Sequence, residues 1–227
     1  MTSYERATNV MVTGGGAYDE FDYNTAADIR DRLPSIISRA GKPDIKIFRY
    51  PVDTPCTYDF GIQAMDEIWS GKAVGSGETM PTQRVDLALH LGMRPSYPGY
   101  CIETHARKNV YEQAGEDGQG FHVSMIEVEG PWAELPDCLY SNFNMEGLKT
   151  SLVRRIPDLD LKVSRDAGAY FCEFELWSSL ANAFLKHKSG DAIFLHVPSS
   201  RSETSIEKGV KVAVGLIEAA VDEISSR

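Results

Sequence analysis

The sequence predicts an α/β protein built on an open, mainly parallel β-sheet. Apolar runs rich in β-branched residues alternate along the chain with segments of helical periodicity, which is typical of parallel sheets covered by helices. The chain has 227 residues, of which 42% are hydrophobic, enough to bury one sizeable core. We therefore expect a single domain over residues 1–227.

The elements follow from these patterns in order. Strands are predicted at residues 9–13, 44–50, 85–91, 160–164 and 192–197, and helices at 25–38, 58–69, 145–155 and 170–186. The last helix is the clearest, since apolar residues recur at helical spacing at Ile206, Val210, Val214, Ile217, Val221 and Ile224. Thr204 and Glu207 have capping-box spacing, which predicts the start of that helix.

Two segments lack periodicity. Residues 70–83 are polar, and residues 112–136 form a long excursion with an EDGQG turn. Because long irregular segments of compact domains often cover substrates, we expect residues 112–136 to be an active-site cover; a tolerated surface segment is the alternative.

Composition and charge argue against several classes of protein. The net charge of −10 is unlike that of a protein coated with basic surface for nucleic acid. Basic residues do cluster locally, although such clusters usually form solvated helix faces: Arg154 with Arg155, Lys186 with Lys188, and Arg201 with Lys208 and Lys211. No apolar run reaches the length of a membrane span, and the N-terminal residues lack the regions of a secretory signal, so we expect a cytoplasmic protein.

Four cysteines, Cys56, Cys101, Cys138 and Cys172, are scattered without CxxC spacing. This spacing indicates neither a zinc site nor a disulfide framework. We expect free thiols and no metal.

Cys172 is the candidate nucleophile. It follows the predicted strand 160–164 through a glycine-containing turn and falls in the first turn of a helix. Reactive residues of parallel α/β sheets collect at the carboxyl ends of strands, and the N-terminus of a helix favours a thiolate. A small buried hydrophobe is the alternative interpretation of this cysteine.

A histidine and a glutamate complete the candidate site. His196 ends the predicted strand 192–197, so we expect it at the same edge as Cys172. Glu103 lies in a short segment, residues 100–103, that can return towards that edge, where a carboxylate would orient the histidine. The rival histidines are His90, His105, His122 and His187, and His105 is the nearest competitor.

Three motifs together resemble a known family. They are S-x-D-A-G-x-Y-x-C at residues 164–172, F-L-H-V-P at 194–198, and H-x-G followed by a glutamate at 90–103. In this order and spacing they resemble the pyroglutamyl peptidase I cysteine peptidases. The resemblance implies a three-layer α/β/α sandwich and a triad of Cys172, His196 and Glu103. It also implies removal of an N-terminal pyroglutamyl residue through an acyl-thioester, without metal or organic cofactor.

The first loop departs from the family pattern T-G-F-G-P-F, whose phenylalanines sandwich the lactam ring. Gly15 and Tyr18 stand at the phenylalanine positions, and Ala17 replaces the proline. The acidic residues that follow, among them Asp19 and Asp22, would pair with a guanidinium or ammonium group if partly desolvated; a solvated acidic turn is the alternative.

A second departure lies after the H-x-G motif. Met93 and Arg94 occupy the region where bacterial relatives place a glutamine that reads the lactam. The predicted substrate-binding residues are therefore Gly15, Gly16, Tyr18, Asp19, Asp22, Met93 and Arg94.

Three functions are consistent with this pattern. The first is an omega-peptidase that hydrolyses an N-terminal pyroglutamyl or related residue. The second is an acyl transferase, similar to fungal synthases of arginine-containing cyclodipeptides, which would take an arginyl group from aminoacyl-tRNA. The third is a non-catalytic binding protein. By a narrow margin the sequence favours acyl transfer, because several pocket features changed together while the triad residue types did not.

Overall fold

The structure, a computed structural model, describes residues 6–72, 84–121 and 132–227. Its strands are β1 Thr8–Gly14, β2 Ile36–Ile37, β3 Ile45–Arg49, β4 Leu87–Met93, β5 Tyr100–Glu103, β6 His105–Arg107, β7 Cys138–Tyr140, β8 Leu161–Ser164 and β9 Ala192–Val197. Its helices, labelled here in chain order, are α1 Thr25–Asp31, α2 Tyr58–Trp69, α3 Met145–Arg155, α4 Phe171–His187 and α5 Glu203–Ser225.

Seven strands form one sheet in the order β2-β3-β1-β4-β9-β5-β8. Strands β3, β1, β4 and β9 run parallel to one another. Strand β5 is antiparallel to β9 and parallel to β8, and β2 is antiparallel to β3. The predicted mainly parallel sheet is thus confirmed, with a reversal of direction between β9 and β5.

Helices cover both faces of the sheet. Successive residues of β1 alternate between two apolar cores, because side chains on a strand point to opposite faces: Val10 and Val12 pack into one core, and Met11 packs into the other. The first core includes residues of α1, α3 and α5, and the second includes residues of α2 and α4. The protein therefore has the predicted three-layer α/β/α architecture.

The predicted helix 25–38 is too long at its C-terminal end. Helix α1 ends at Asp31, and Arg32 caps it. Pro34 explains this end, since proline disfavours the α conformation of the residue before it and cannot donate a helical hydrogen bond. The following residues instead form β2, an edge strand paired with β3.

The predicted capping box of the last helix is wrong. Ser202 is the N-cap of α5, and its side-chain oxygen accepts a hydrogen bond from the Ser205 backbone N–H at 3.2 Å. This places the start of the helix one residue before Thr204.

The two predicted irregular segments lie partly outside the described residues, at positions 73–83 and 122–131. The described part of the second packs onto the helices, where Phe121 meets Tyr58 and Phe174 at ring-centroid distances of 5.3 and 5.4 Å. None of the helices in the described part of the chain is long and apolar enough to cross a bilayer.

Candidate active site

A cavity of about 260 Å³ lies where β1, β4 and β9 end and α4 begins. Cys172 and His196 both line it. Its wall also contains the aromatic side chains of Tyr18, Tyr170, Phe171 and Phe194. The two main candidate residues thus face the same cavity.

Cys172 reaches this cavity by a route that differs from the predicted one. Strand β8 runs antiparallel to β9, because β8 is parallel to β5 and β5 is antiparallel to β9. The carboxyl end of β8 therefore points away from the carboxyl end of β9, and the strand-end rule does not place Cys172. Residues 165–170 carry the chain back to the start of α4, where Cys172 is the second helical residue.

The turn before α4 needs left-handed backbone. Gly168 and Ala169 have φ angles of 103° and 49°. The buried Glu173 side chain fixes this turn, since its carboxylate accepts the Ala169 backbone N–H at 2.8 Å and pairs with the Arg107 guanidinium. Asp166 contributes a further bond by accepting the Gly168 N–H at 3.1 Å. The motif at residues 164–172 is therefore a structural device that sets the position of Cys172.

Gly92 explains the glycine of the H-x-G motif. A Cβ added there would lie 2.6 Å from Phe194 Cζ and 3.2 Å from Cys172 Sγ. Gly92 is also the partner of His196 in the β4–β9 pairing. Only a residue without a side chain lets the thiol and the phenylalanine ring approach the strand this closely.

His196 and Glu103 form a buried pair. His196 Nδ1 lies 2.8 Å from Glu103 Oε1, and the two residues are 4% and 0% exposed. The antiparallel β5–β9 register places Glu103 opposite Phe194, two residues from His196 on the same face of the sheet. Arg94 Nη1 lies 3.6 Å from the same Glu103 oxygen. With Nδ1 held by Glu103, the other ring nitrogen of His196 is left for the cavity.

Burial opposes the thiolate form of Cys172. Desolvation raises the pKa of the Cys172 thiol well above 9.0, and Cys56, Glu175 and Glu103 raise the pKa further, whereas Arg94 lowers it. The sequence-based expectation of a thiolate favoured by the helix N-terminus is therefore outweighed by burial. Among the described residues no hydrogen bond joins the thiol to His196, and a thiol with a raised pKa needs a base to become a nucleophile.

Four of the predicted substrate-binding residues line the cavity: Gly15, Tyr18, Met93 and Arg94. The Tyr18 hydroxyl donates to the Met93 carbonyl at 3.2 Å and so bridges two sides of the wall. The sequence departs from the family pattern at these positions. The departures therefore lie in the wall of the cavity.

The other three predicted residues are not in the cavity wall. Gly16 is held by backbone bonding, with its N–H donating to the Thr54 carbonyl at 2.8 Å. Asp19 and Asp22 are exposed. The alternative of a solvated acidic turn therefore describes this loop better than a cation-binding pocket.

The rival histidines have other environments. His90 is fully buried, with Nδ1 2.9 Å from Thr13 Oγ1 and Nε2 2.7 Å from Ser179 Oγ. His105 Nδ1 lies 2.8 Å from Thr104 Oγ1, and His187 Nε2 lies 2.8 Å from the Trp69 carbonyl. None of these three lines the cavity, and His122 lies outside the described residues.

Sequence reasoning missed Glu175. This residue is 2% exposed and lines the cavity. Its position three residues after Cys172 was the available signal, since residues i and i+3 of a helix share a face. Cys56 was also missed as a cavity residue, and burial raises its pKa to about 12.

All four cysteines are free thiols in the structure. Within residues 6–72, 84–121 and 132–227, no group of three or more histidine, cysteine, aspartate or glutamate side chains could hold a metal ion.

Solved structures share this architecture. Pyrrolidone carboxyl peptidase from the hyperthermophile Pyrococcus furiosus matches with a TM-score of 0.73 and 19% identity, covering 95% of this chain and 99% of that one. The chain has the pyrrolidone carboxyl peptidase fold. A point mutant of the same peptidase matches with a TM-score of 0.72 and 20% identity over 96% of this chain and 100% of that one. No protein-family model and no curated protein matches the sequence.

Pyrrolidone carboxyl peptidase is another name for pyroglutamyl peptidase I. The predicted resemblance to that family is thus confirmed at the level of the fold. The match extends over nearly the whole length of both chains. At 19–20% sequence identity the match establishes the architecture. A shared fold does not by itself determine the reaction, which depends on the residues of the cavity.

Proposed function

We propose that the protein is a cysteine hydrolase that forms an acyl-thioester at Cys172 and cleaves the amide bond after a single N-terminal residue. One observation carries the proposal: Cys172 and His196 line one cavity of about 260 Å³, and Glu103 holds the His196 ring from behind. A cavity of this size matches a small acyl group.

The reaction follows from the positions of these groups. The Cys172 thiol gives its proton to His196, and Sγ bonds to the substrate carbonyl carbon. His196 then gives that proton to the leaving amine as the C–N bond breaks, which leaves a thioester. Water attacks the thioester, with His196 again taking and returning the proton, so the acid is released and the thiol restored.

Two groups support this chemistry. Glu103 orients the His196 ring through Nδ1 and stabilises its charged form. The backbone N–H of Cys172 is one of the first amides of α4, which have no acceptor within the helix, so it can donate to the oxyanion of the intermediate. Glu103 thus stabilises the positive charge on His196, and the helix N-terminus stabilises the negative charge on the oxyanion, in the same transition state.

Hydrolysis fits better than acyl transfer from aminoacyl-tRNA. The proteins with the same fold are peptidases by name, and the exposed Asp19 and Asp22 do not line the cavity. Several basic residues available for RNA are already engaged in ion pairs: Arg155 with Glu218 at 2.7 Å, Lys186 with Asp66 at 2.5 Å, and Arg201 with Asp28 at 2.8 Å.

Acyl transfer to an amine, including cyclodipeptide synthesis, is the second candidate. It would start from the same thioester, with an amine in place of water. The buried carboxylate of Glu175 in the cavity favours it, because an aminoacyl group brings a cation. The two functions differ in what resolves the thioester.

The test is turnover of aminoacyl and pyroglutamyl 7-amido-4-methylcoumarins by the wild type, by Cys172→Ala and by Cys138→Ala. The proposal predicts hydrolysis of at least one substrate by the wild type and by Cys138→Ala, and none by Cys172→Ala. Added amines should not divert the acyl group from water. Equal turnover by Cys172→Ala would refute the site, and quantitative capture by an amine would establish the transferase instead.

A further inference from the structure

The cavity contains a buried carboxylate that the proposed reaction does not use. Glu175 lies one helical turn beyond Cys172 and is 2% exposed. Its Oε1 accepts the Thr13 hydroxyl at 2.8 Å, whereas its Oε2 has no hydrogen-bond partner within the described part of the chain. Unlike Glu103 Oε2, which is fully enclosed and unpartnered, Glu175 Oε2 is not among the enclosed unpartnered atoms of the described residues, so it is accessible from the cavity. Glu175 therefore marks a position in the cavity that lacks a donor.

The residues beneath Glu175 form a chain of hydrogen bonds that includes His90. Trp69 Nε1 donates to Ser179 Oγ at 2.9 Å, and that hydroxyl lies 2.7 Å from His90 Nε2. His90 Nδ1 lies 2.9 Å from Thr13 Oγ1 and 3.4 Å from Glu175 Oε1. Because Thr13 uses its only proton for Glu175, it accepts from Nδ1. A neutral His90 with its proton on Nδ1 is compatible with these contacts, and in that form it does not cancel the charge of the Glu175 carboxylate.

The cationic side chain of the cavity wall serves a different carboxylate. Arg94 Nη1 lies 3.6 Å from Glu103 Oε1 and 3.3 Å from the Asp166 carbonyl, which it can reach as a donor. Glu103 also holds His196. Arg94 is thus directed to Glu103, and among the described residues the ion-pair contact of Glu175 is with His90, which is charged only when protonated.

The Glu175 carboxylate works against the nucleophile. Glu175 raises the pKa of the Cys172 thiol beyond the effect of burial, since a nearby negative charge disfavours a thiolate. A cation bound beside Glu175 would offset that effect as it enters. A substrate with a positive charge would therefore bind and help to activate the thiol in one step.

We propose that Glu175 binds a positively charged nitrogen of the acyl group, so that the enzyme takes cationic rather than neutral N-terminal residues. This specificity rests on the proposed thiol chemistry at Cys172. A neutral lactam N–H would donate a hydrogen bond to Oε2 but would leave the negative charge uncompensated. An α-ammonium or a guanidinium donates the hydrogen bond and also compensates the charge.

The first experiment needs no substrate. Cys172 is modified with 2-aminoethyl methanethiosulfonate, which is cationic, and with propyl methanethiosulfonate, its neutral isostere; in each case the thiolate forms a disulfide and methanesulfinate leaves. Peptide mass spectrometry gives the two rates at Cys172 and at the half-buried Cys138 of the same sample. The ratio of the two rates at Cys172 is divided by the same ratio at Cys138. This division removes the difference in intrinsic reactivity between the two reagents.

The cationic reagent should be favoured at Cys172 by about tenfold, as expected for two charges within a few ångströms at a partly screened site. Glu175→Gln should abolish this preference. Glu175→Asp, which keeps the charge, and Glu20→Gln, which removes an exposed carboxylate outside the cavity, should both retain it. A wild type without preference, or a Glu175→Gln variant that keeps it, overturns the proposal.

The second experiment uses pairs of substrates that are similar in shape and differ in charge. Alanyl and lactyl 7-amido-4-methylcoumarins differ in an α-ammonium, and N-acetylarginyl and N-acetylcitrullyl amides differ in a side-chain cation. Glu175→Gln should lower kcat/KM roughly a hundredfold for the cationic member of the preferred pair, as for loss of a buried charge partner, and less than threefold for the neutral member. Equal losses overturn the proposal. A charge preference in labelling without hydrolysis of any amide would refute the proposed function while leaving the cation site standing.

Discussion

Gly92→Ala probes how closely the nucleophile and its surroundings are packed. The added Cβ would lie 2.6 and 2.8 Å from two ring carbons of Phe194 and 3.2 Å from Cys172 Sγ. Carbon atoms in contact are normally about 3.5 to 4.0 Å apart. The Phe194 ring must therefore move by about 1 Å, or the strand must bend.

Both movements disturb tightly packed residues and therefore lower the stability. Phe194 is fully buried, and its ring centroid lies 4.8 Å from that of His196. Overpacking of this kind costs about 1 to 3 kcal/mol of stability. A shift of about 1 Å in reacting groups lowers the rate on the order of a hundredfold. We expect both losses in Gly92→Ala.

Urea unfolding and amide hydrolysis measure the two effects separately. Gly215→Ala is the matched control, because its nearest contact would be Leu152 Cγ at 3.9 Å. In the interior of α5 it should raise stability by about 0.5 to 1 kcal/mol and leave activity unchanged. If Gly92→Ala kept wild-type stability and activity, the close packing of Phe194 and Cys172 against β4 would be wrong.

Three further predictions concern the charges of the site. Glu103→Gln should lower kcat about a thousandfold with little change in KM, because an amide no longer stabilises the charged His196 ring; a loss below tenfold would count against the triad. Arg94→Met removes the charge that lowers the pKa of Cys172, so the pH profile of iodoacetamide alkylation should move upward, and an unmoved profile would contradict this. Burial raises the pKa of Cys56 from 9.0 to about 12, so its stabilising contribution is complete below pH 9 and is lost as pH rises towards 12. By this linkage the free energy of unfolding falls by about 1.4 kcal/mol between pH 7 and pH 10. In urea unfolding, Cys56→Ala should not show this loss of stability.

Local patterns were sufficient for most elements. The predicted helices 58–69 and 145–155 coincide with α2 and α3, and strand 192–197 coincides with β9. Helix α1 was overextended because its apolar pattern continues past Pro34 into the edge strand β2. Periodicity does not record the direction of a strand, so the reversal at β5 and β8 could not be read from the sequence.

The candidate site was predictable to the extent that it depends on spacing along the chain. The motifs named Cys172, His196 and Glu103, and the structure brings the first two into one cavity with Glu103 behind His196. Loop side chains were harder, because their directions depend on backbone angles such as the φ of 53° at Asp19. Glu175 was overlooked because its importance lies in an unpaired oxygen, which only the packed structure reveals.

The central claim is that Cys172 carries the acyl group. The most direct measurement is peptide mass spectrometry of the wild type after acid quenching during turnover of its best amide substrate, with Cys172→Ala in parallel. The account predicts the mass of the acyl group on the peptide that contains Cys172 and on no peptide of the variant. An acyl group on Cys56 or Cys138, or turnover by Cys172→Ala, would contradict it.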